Sequence, residues 1–477
     1  MPHLPRQIRL AAGDYFMQGQ DCRMRRYGLP GNVCRIALRL EGCVDAGLLR
    51  RRVAESPMLN WLGRVRIVRS LPLMPPRWEA ASEPGTILFE HNGAGRDASP
   101  RRPLSDASGR LGEGSLPGAG RLGEASLPEL DEASGFLPRT VAQRDLQPTD
   151  GPSLALDLVS DKDGSKELVL SWNHALMDAR GAEFILRHLN AGAGVKESTA
   201  LDNLINPAQQ EWSLPKWWNS VKLARGCMEW LRKSGSEPLF TLMPGLRPAG
   251  PCRNYRRLIS FTQEESERIT ARCQRMNAAF RRSQLYLASA IRGLHGVAQA
   301  RGNKDGAYLM PVPHDMRKRG SSGPIFSNQL SILFYRIEPR QAVSLRETIA
   351  ELTRQMMNQI RDRFPEACMA ALDMFKPMPL NYYVKHLGQP TRGKFASLCF
   401  SDSGETCAGM SEMVGGRITE VTHLVPTWRP PGLTVLFWSF GGRPRVLLSW
   451  VDDCLSLSEV RVLEQGLRAA LLEEEIG

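Results

Sequence analysis

His174 and Asp178, four residues apart, are the pair in this chain whose types and spacing could do acid–base chemistry. A neutral imidazole can take a proton at pH 7, and a hydroxyl or amine must lose one as it attacks an acyl carbonyl. The pair sits in Ser171-Trp172-Asn173-His174-Ala175-Leu176-Met177-Asp178-Ala179-Arg180-Gly181. By spacing alone the signal is weak, because such pairs arise by chance in a chain this long. The bland reading of the same residues is a half-buried histidine satisfied by backbone groups at a strand end. Position gives the pair its weight.

The elements on either side explain why. Leu168, Leu170 and Trp172 share one parity, as in a half-buried strand, and His174 falls on that parity if the strand continues two residues further. Downstream, Ala182, Ile185, Leu186 and Leu189 recur at helical spacing until Ala191-Gly192-Ala193-Gly194 ends the pattern. The histidine is thus delivered by a rigid strand–turn–helix unit. Ser153 to Val159 and Glu167 to Trp172 read as a hairpin around Asp161-Lys162-Asp163-Gly164. Val33 to Leu40 alternates like a strand, Asp45 caps an arginine-rich helix from Ala46 towards Glu55, and Gly63 to Val68 is a further strand. In the second half, Tyr255 to Phe261 is a strand, and Thr262 with Glu265 forms a capping box. A long helix follows from Ser283 to Ala300, then a segment from Tyr308 to Arg317 and a strand from Asn328 to Ile337. Leu433 to Phe440 and Arg445 to Val451 form a hairpin across Gly441-Gly442. Strands and helices in mixed order predict an α+β or open α/β architecture rather than a barrel.

With 477 residues, 42% of them apolar, the chain is long enough for two domains of about 200 residues each. The net charge of +12 suits a polyanionic partner. No compact Lys/Arg block interleaved with stacking aromatics occurs, so nucleic acid is not expected, and a phosphate-bearing or acidic carrier fits better. The ten cysteines form no CxxC or CxxH pairing, which predicts neither a metal site nor a disulfide framework. No apolar run reaches membrane-spanning length, and the first residues lack the core of a secretory signal, so a cytoplasmic protein is expected. From 93 to 139 glycine, serine, proline, arginine and glutamate dominate, and Gly109 to Pro117 returns nearly unchanged as Gly120 to Pro128. This composition predicts a disordered insertion. Between 195 and 250 the chain is irregular and tryptophan-rich. There Trp217, Val221, Ala224, Met228 and Leu231 make an apolar stripe beneath Lys216, Lys222, Arg225, Arg232 and Lys233. The stripe is expected to pack on its own protein; peripheral membrane contact through 212–233 is the alternative.

Val169 to Gly181 resembles the HxxxD signature of the CoA-dependent acyltransferase superfamily, which includes chloramphenicol acetyltransferase, nonribosomal-peptide condensation domains, plant BAHD acyltransferases and bacterial wax-ester synthases. Other stretches resemble it in the expected order. Gly151-Pro152-Ser153-Leu154 is similar to the segment leading into the hairpin before the signature. Val312-Pro313-His314-Asp315-Met316-Arg317, with Gly323 to Leu330, is similar to the arginine and Gly-x-Phe-x-Asn region of condensation-type second lobes. Pro431 to Val435 and Leu448 to Asp452 resemble the closing strands.

The resemblance implies two chloramphenicol-acetyltransferase-like lobes forming a pseudo-dimer with a central tunnel. The N-terminal lobe would span 1–200, a crossover 201–250 and the C-terminal lobe 251–477. His174 would be the general base. Triad logic would have Asp178 orient the imidazole; the resemblance implies instead that it faces away and pairs with Arg317. Asn328 would lie near the tunnel, with Asn173 and Gly181 as further tunnel or substrate candidates. Acyl-CoA or a phosphopantetheinyl, acidic acyl carrier protein would be the donor substrate, a small alcohol or amine the acceptor, with no tightly bound cofactor and a monomeric enzyme. The chain departs from the pattern in having Asn173 for the first histidine of the doubled form and Ala179 for the following glycine. It has Ser283-Gln284 where wax-ester synthases often carry Asn-Asp. An inactive binding module and a membrane-surface lipid acyltransferase of the wax-ester or glycerolipid type are the other classes.

Overall fold

A computed structural model describes residues 4–69, 74–83, 85–92, 137–160, 164–191, 203–206, 214–245, 251–276, 278, 282–321, 323–387 and 396–473. The insertion expected at 93–139 lies outside these residues except for its last three, as do Asp161 to Asp163 of the expected turn. The first half runs β1 (Gln7–Arg9), α1 (Ala12–Arg26), β2 (Val33–Glu41), α2 (Ala46–Glu55), α3 (Pro57–Leu62), β3 (Val65–Val68), β4 (Arg77–Ala80), β5 (Leu88–Asn92), α4 (Arg139–Ala142), β6 (Leu154–Ser160), β7 (Lys166–Asn173) and α5 (Ala179–Ala191). It continues with α6 (Leu214–Ser236), β8 (Asn254–Ser260), α7 (Gln263–Arg275), α8 (Arg282–Ala300), β9 (Tyr308–Asp315), β10 (Leu330–Ile337), α9 (Leu345–Arg361), α10 (Phe364–Phe375) and α11 (Leu380–Leu387). The last elements are β11 (Cys399–Glu405), β12 (Glu412–Met413), β13 (Gly416–Leu424), β14 (Leu433–Phe440), β15 (Arg443–Val451) and α12 (Leu457–Leu472).

Strand β7, which ends at the residue before His174, lies inside a six-stranded sheet of order β12-β13-β2-β7-β6-β5. It pairs antiparallel with both neighbours, Asn173 opposite Val33 and Trp172 opposite Leu154. The alternation of Leu168, Leu170 and Trp172 predicts one buried face. Here the structure differs: Val169 and Ser171, on the other face, are equally buried. The reason is the second sheet, β11-β14-β15-β8. Its Leu436, Trp438 and Leu447 pack with Ala37, Val159 and Val169, so β7 is covered on both sides.

The first sheet is not made by the first half of the chain alone. β13, from the second half, pairs antiparallel with β2 and occupies the edge that β2 would otherwise leave open. The ribbon of β9 and β10 joins the second sheet through Ser397, whose N–H donates to Leu309 O (2.7 Å) and whose Oγ accepts from Leu309 N (3.1 Å).

Local signals explain several boundaries. Asp45 accepts from Leu48 N at 2.8 Å to open α2, and the Thr262/Glu265 box opens α7 with bonds of 3.1 and 2.8 Å. Helix α6 carries the tryptophan-rich segment. Ala224 and Cys227 are buried with Leu309, Phe334, Phe364 and Ala371, and Trp230 packs at 5.4 Å from Phe364. Ala224, Met228 and Leu231 of the apolar stripe therefore face the protein, while Lys222, Arg225, Arg232 and Lys233 face solvent. Among the described residues no helix is long and apolar enough to cross a membrane.

Candidate active site

The turn after β7 is fixed from several directions. His174 N donates to Asn32 O at 2.8 Å, which carries the strand pairing one residue past β7. Asn173 Oδ1 accepts from Ala175 N (3.0 Å), and its Nδ2 donates to Asp21 Oδ1 (3.1 Å) and Leu146 O (2.8 Å). Trp172 Nε1 closes the turn on Met177 O at 3.0 Å. Helix α5 then starts with Asp178 as its cap, accepting from Gly181 N at 2.9 Å.

The His174 ring meets one side chain of the second half of the chain. Asn328 Nδ2 donates to His174 O (2.8 Å) and to Asp14 Oδ1 (3.0 Å), which turns Asn328 Oδ1 towards His174 Nδ1 at 3.1 Å. An amide oxygen only accepts, so Nδ1 carries the proton and Nε2 keeps a lone pair. Burial holds the imidazole below its ordinary pKa, because the charged form loses hydration there; the backbone of His174 itself, the Asp178 carboxylate, Asn328 and the backbone of Met177 pull the other way. The ring is neutral at pH 7 while His174 keeps part of its surface accessible.

Asp178 does not orient the histidine. Its Oδ1 accepts from Arg317 Nη2 at 3.0 Å and its Oδ2 from Gln329 N at 2.9 Å. Both partners of the ion pair are buried, at 1% and 2% side-chain exposure. Arg317 also donates through Nε and Nη2 to Pro324 O and through Nη1 to Asp315 Oδ1. The loop between β9 and β10 thus brings Arg317, Asn328 and Gln329 onto the turn that follows β7. Phe326 of that loop is fully buried between Trp61 and Trp78, with ring centroids 4.9 and 5.4 Å away.

Two further candidates lie inside the fold. Asn173, expected beside a tunnel, is fully buried and its amide is taken up by the fold as described. Gly181, expected there too, packs against backbone: a Cβ at this position would lie 2.3 Å from Ile325 O. Gly181 lets the two halves of the chain approach closely, whereas the bonds of Asn173 stay within the first half.

Asp14 was not singled out by sequence, yet much of the site converges on it. This fully buried carboxylate accepts from Ser327 Oγ (2.9 and 2.8 Å), Asn328 N (2.8 Å), Asn328 Nδ2 (3.0 Å), Trp78 Nε1 (3.0 Å) and Ala11 N (3.2 Å). Burial pushes its pKa up and these donors pull it back. It also holds Ser327 at φ +74°, in the left-handed region that a serine rarely adopts. Gly13 lets α1 come this close, since a Cβ there would stand 3.0 Å from Asn328 Cβ.

No protein-family model matches the sequence, and no curated protein matches it. Solved structures share its fold. The condensation domain of the monacolin K polyketide synthase MokA superposes with a TM-score of 0.64 over 98% of this chain and 96% of its own, at 11% identity. The trichothecene 15-O-acetyltransferase TRI3 from Fusarium sporotrichioides gives 0.64 over 98% and 95%, at 14% identity. A double variant of the starter condensation domain of rhizomide synthetase RzmA in complex with C8-CoA gives 0.60 over 98% and 94%, at 14% identity. The chain therefore has the α+β fold of condensation domains and chloramphenicol-acetyltransferase-like acyltransferases. At such identities the likeness concerns the fold, and the chemistry has to be argued from the site.

Proposed function

We propose that this chain is an acyltransferase that moves an acyl group from a thioester to a hydroxyl or amine, with His174 as general base. The observation that carries the reading is the His174–Asn328 contact. It leaves Nε2 unprotonated on a neutral, partly accessible imidazole at the end of a rigid strand. Such a nitrogen takes the proton of the acceptor as its oxygen or nitrogen attacks the thioester carbonyl, and the departing thiolate takes up a proton. Asp178 and Arg317 hold the turn in place, and Asp14 holds Asn328. The donor is acyl-CoA or a phosphopantetheinyl carrier protein; C8-CoA bound to a neighbour of the same fold supports this class. A pseudo-dimer with the reaction between its lobes is consistent with His174 being held from both halves of the chain.

The test is incubation of the purified protein with a panel of acyl-CoAs and small alcohols and amines, followed by mass spectrometry. Acyl-ester or acyl-amide products that vanish in His174→Ala support the reading. Products formed equally by that variant would remove it, and a protein that binds acyl-CoA without turnover would favour a binding module.

A further inference from the structure

His174 and Trp428 are held by the same residue. Asn32, itself fully buried, accepts from His174 N through its carbonyl at 2.8 Å and from Trp428 Nε1 through its side-chain oxygen at 3.3 Å. Its other hydrogen bonds go to Met17 and Asp21 of α1, and both of these are buried. Among the described residues that Asn32 bonds, only His174 and Trp428 keep part of their surface accessible.

Trp428 lies where the chain leaves β13 in the six-stranded sheet and enters β14 in the four-stranded one. Its side chain packs against both large apolar clusters, one built on each of these sheets, and meets the buried Phe16 edge to face with ring centroids 5.8 Å apart. The backbone on either side cannot yield easily. Thr427 and Arg429 are fully buried, and Arg429 donates to Asp453 at 2.6 Å and to Gly245 O at 3.2 Å. The indole is thus a fixed wall at the seam between the sheets, left partly uncovered. With its N–H taken by Asn32, it has ring surface to offer, which suits an apolar chain rather than a charged group. A large aromatic side chain left open beside a reactive group is what ligand pockets are lined with.

We propose that the accessible surfaces of His174 and Trp428 border one opening, and that the Trp428 ring packs on the apolar chain of the substrate whose reacting end lies at His174. The inference rests on the acyl-transfer reading above. Trp428 is a specificity-determining residue here; it takes no part in the proton transfer. The chain is that of the acyl group or that of the acceptor, and two arms of the test separate these sources.

The first measurement needs no turnover. The protein is labelled with 5-fluorotryptophan, and the fluorine resonance missing from Trp428→Phe is that of Trp428. Octanoyl-CoA should shift this resonance where acetyl-CoA does not if the acyl chain lies on the ring; 1-hexanol should shift it where ethanol does not if the acceptor chain does. The second measurement is kcat/KM for the same pairs of substrates. In one arm Trp428→Ala should reduce the preference for the longer chain by at least about tenfold, with the short substrate little changed. Trp428→Phe keeps a ring and should retain most of the preference, which decides the matter if the alanine variant fails to fold. A Trp428 resonance that none of the four ligands moves overturns the proposal. So does one moved equally by acetyl-CoA and octanoyl-CoA, which would put the ring against the pantetheine arm, and so does an unchanged preference in both arms of a folded Trp428→Ala. Absence of transfer to any acceptor by the wild type overturns the acyl-transfer reading instead, with the resonance still deciding what Trp428 touches.

Discussion

At the scale of single residues, the tautomer of His174 is decided by an asparagine amide whose own direction is decided by Asp14. General-base catalysis contributes roughly 10²–10⁴-fold to rate, so His174→Ala should lose about that factor in single-turnover acyl transfer while its circular dichroism stays that of the wild type. The pH profile follows from the same contact. Burial holds the imidazole below its ordinary value of 6.5, so protonation cannot silence it until the pH drops below that value. The acid limb of kcat should therefore fall below pH 6.5, with a plateau at neutral pH. A midpoint at pH 7 or above would mean that another group carries the proton. Asn328→Asp offers a sharper check: a carboxylate at Nδ1 favours the imidazolium and should move the limb upwards.

At the scale of elements, the loop between β9 and β10 is tied to the start of α5 by the buried Asp178–Arg317 pair. Removing one partner of a buried pair leaves a charge without its counterpart, at a cost of about 3–5 kcal/mol. Asp178→Asn and Arg317→Ala should each lower stability on that order in denaturant titration. The double variant should cost much less than the two together. Additive costs would mean that the pair does not couple the loop to the helix. The ordered patterns, a strand–turn–helix for Asp178 and a strand end for Arg317, place the two residues, but their pairing was legible only through the resemblance to the HxxxD acyltransferases, since triad logic would have turned Asp178 to the imidazole. Helix α1 was not legible. Asp14, Gln18, Gln20 and Asp21 are all buried in it, whereas a periodicity reading looks for apolar residues on the inner face. Its polar inner face exists because it faces donors from Ser327, Asn328, Asn32 and Asn173, and those lie hundreds of residues away or across a turn. β7 shows the converse limit. Its alternation gave the strand and one face, but the second covering sheet comes from β14 and β15, which nothing local in β7 can announce. The apolar stripe of α6 was read correctly as packing on the protein, and the helices α9 to α12 went unread.

At the scale of the whole molecule, the buried histidines make the fold sensitive to acid. His423, in β13, bonds Thr406 Oγ1 at 2.9 Å and is 1% exposed. Burial brings its pKa down to about 3. His295 and His314 are also depressed by burial. A histidine whose folded pKa lies below its unfolded value of 6.5 leaves stability intact above 6.5, because neither state is charged there. Below 6.5 the unfolded chain binds the proton and the folded one does not, so stability drains away towards the folded pKa. For His423 alone the loss by pH 3 is roughly 5 kcal/mol. Denaturant midpoints should therefore fall steadily between pH 6.5 and 4, and His423→Gln should flatten that slope if it folds.

The pairing of β13 with β2 carries a consequence for how this protein is made. On a ribosome β2 emerges early, while the strand that covers its outer edge follows only after everything from Gly42 to Gly415 has been translated. At about 5–20 residues per second that interval is on the order of a minute or less. Throughout it the nascent chain displays an unpaired strand rich in Val, Ile and Leu, the kind of edge that recruits other chains. Release of the polypeptide short of Gly416 should yield insoluble product, and supplying the missing C-terminal piece in trans during translation should recover soluble protein.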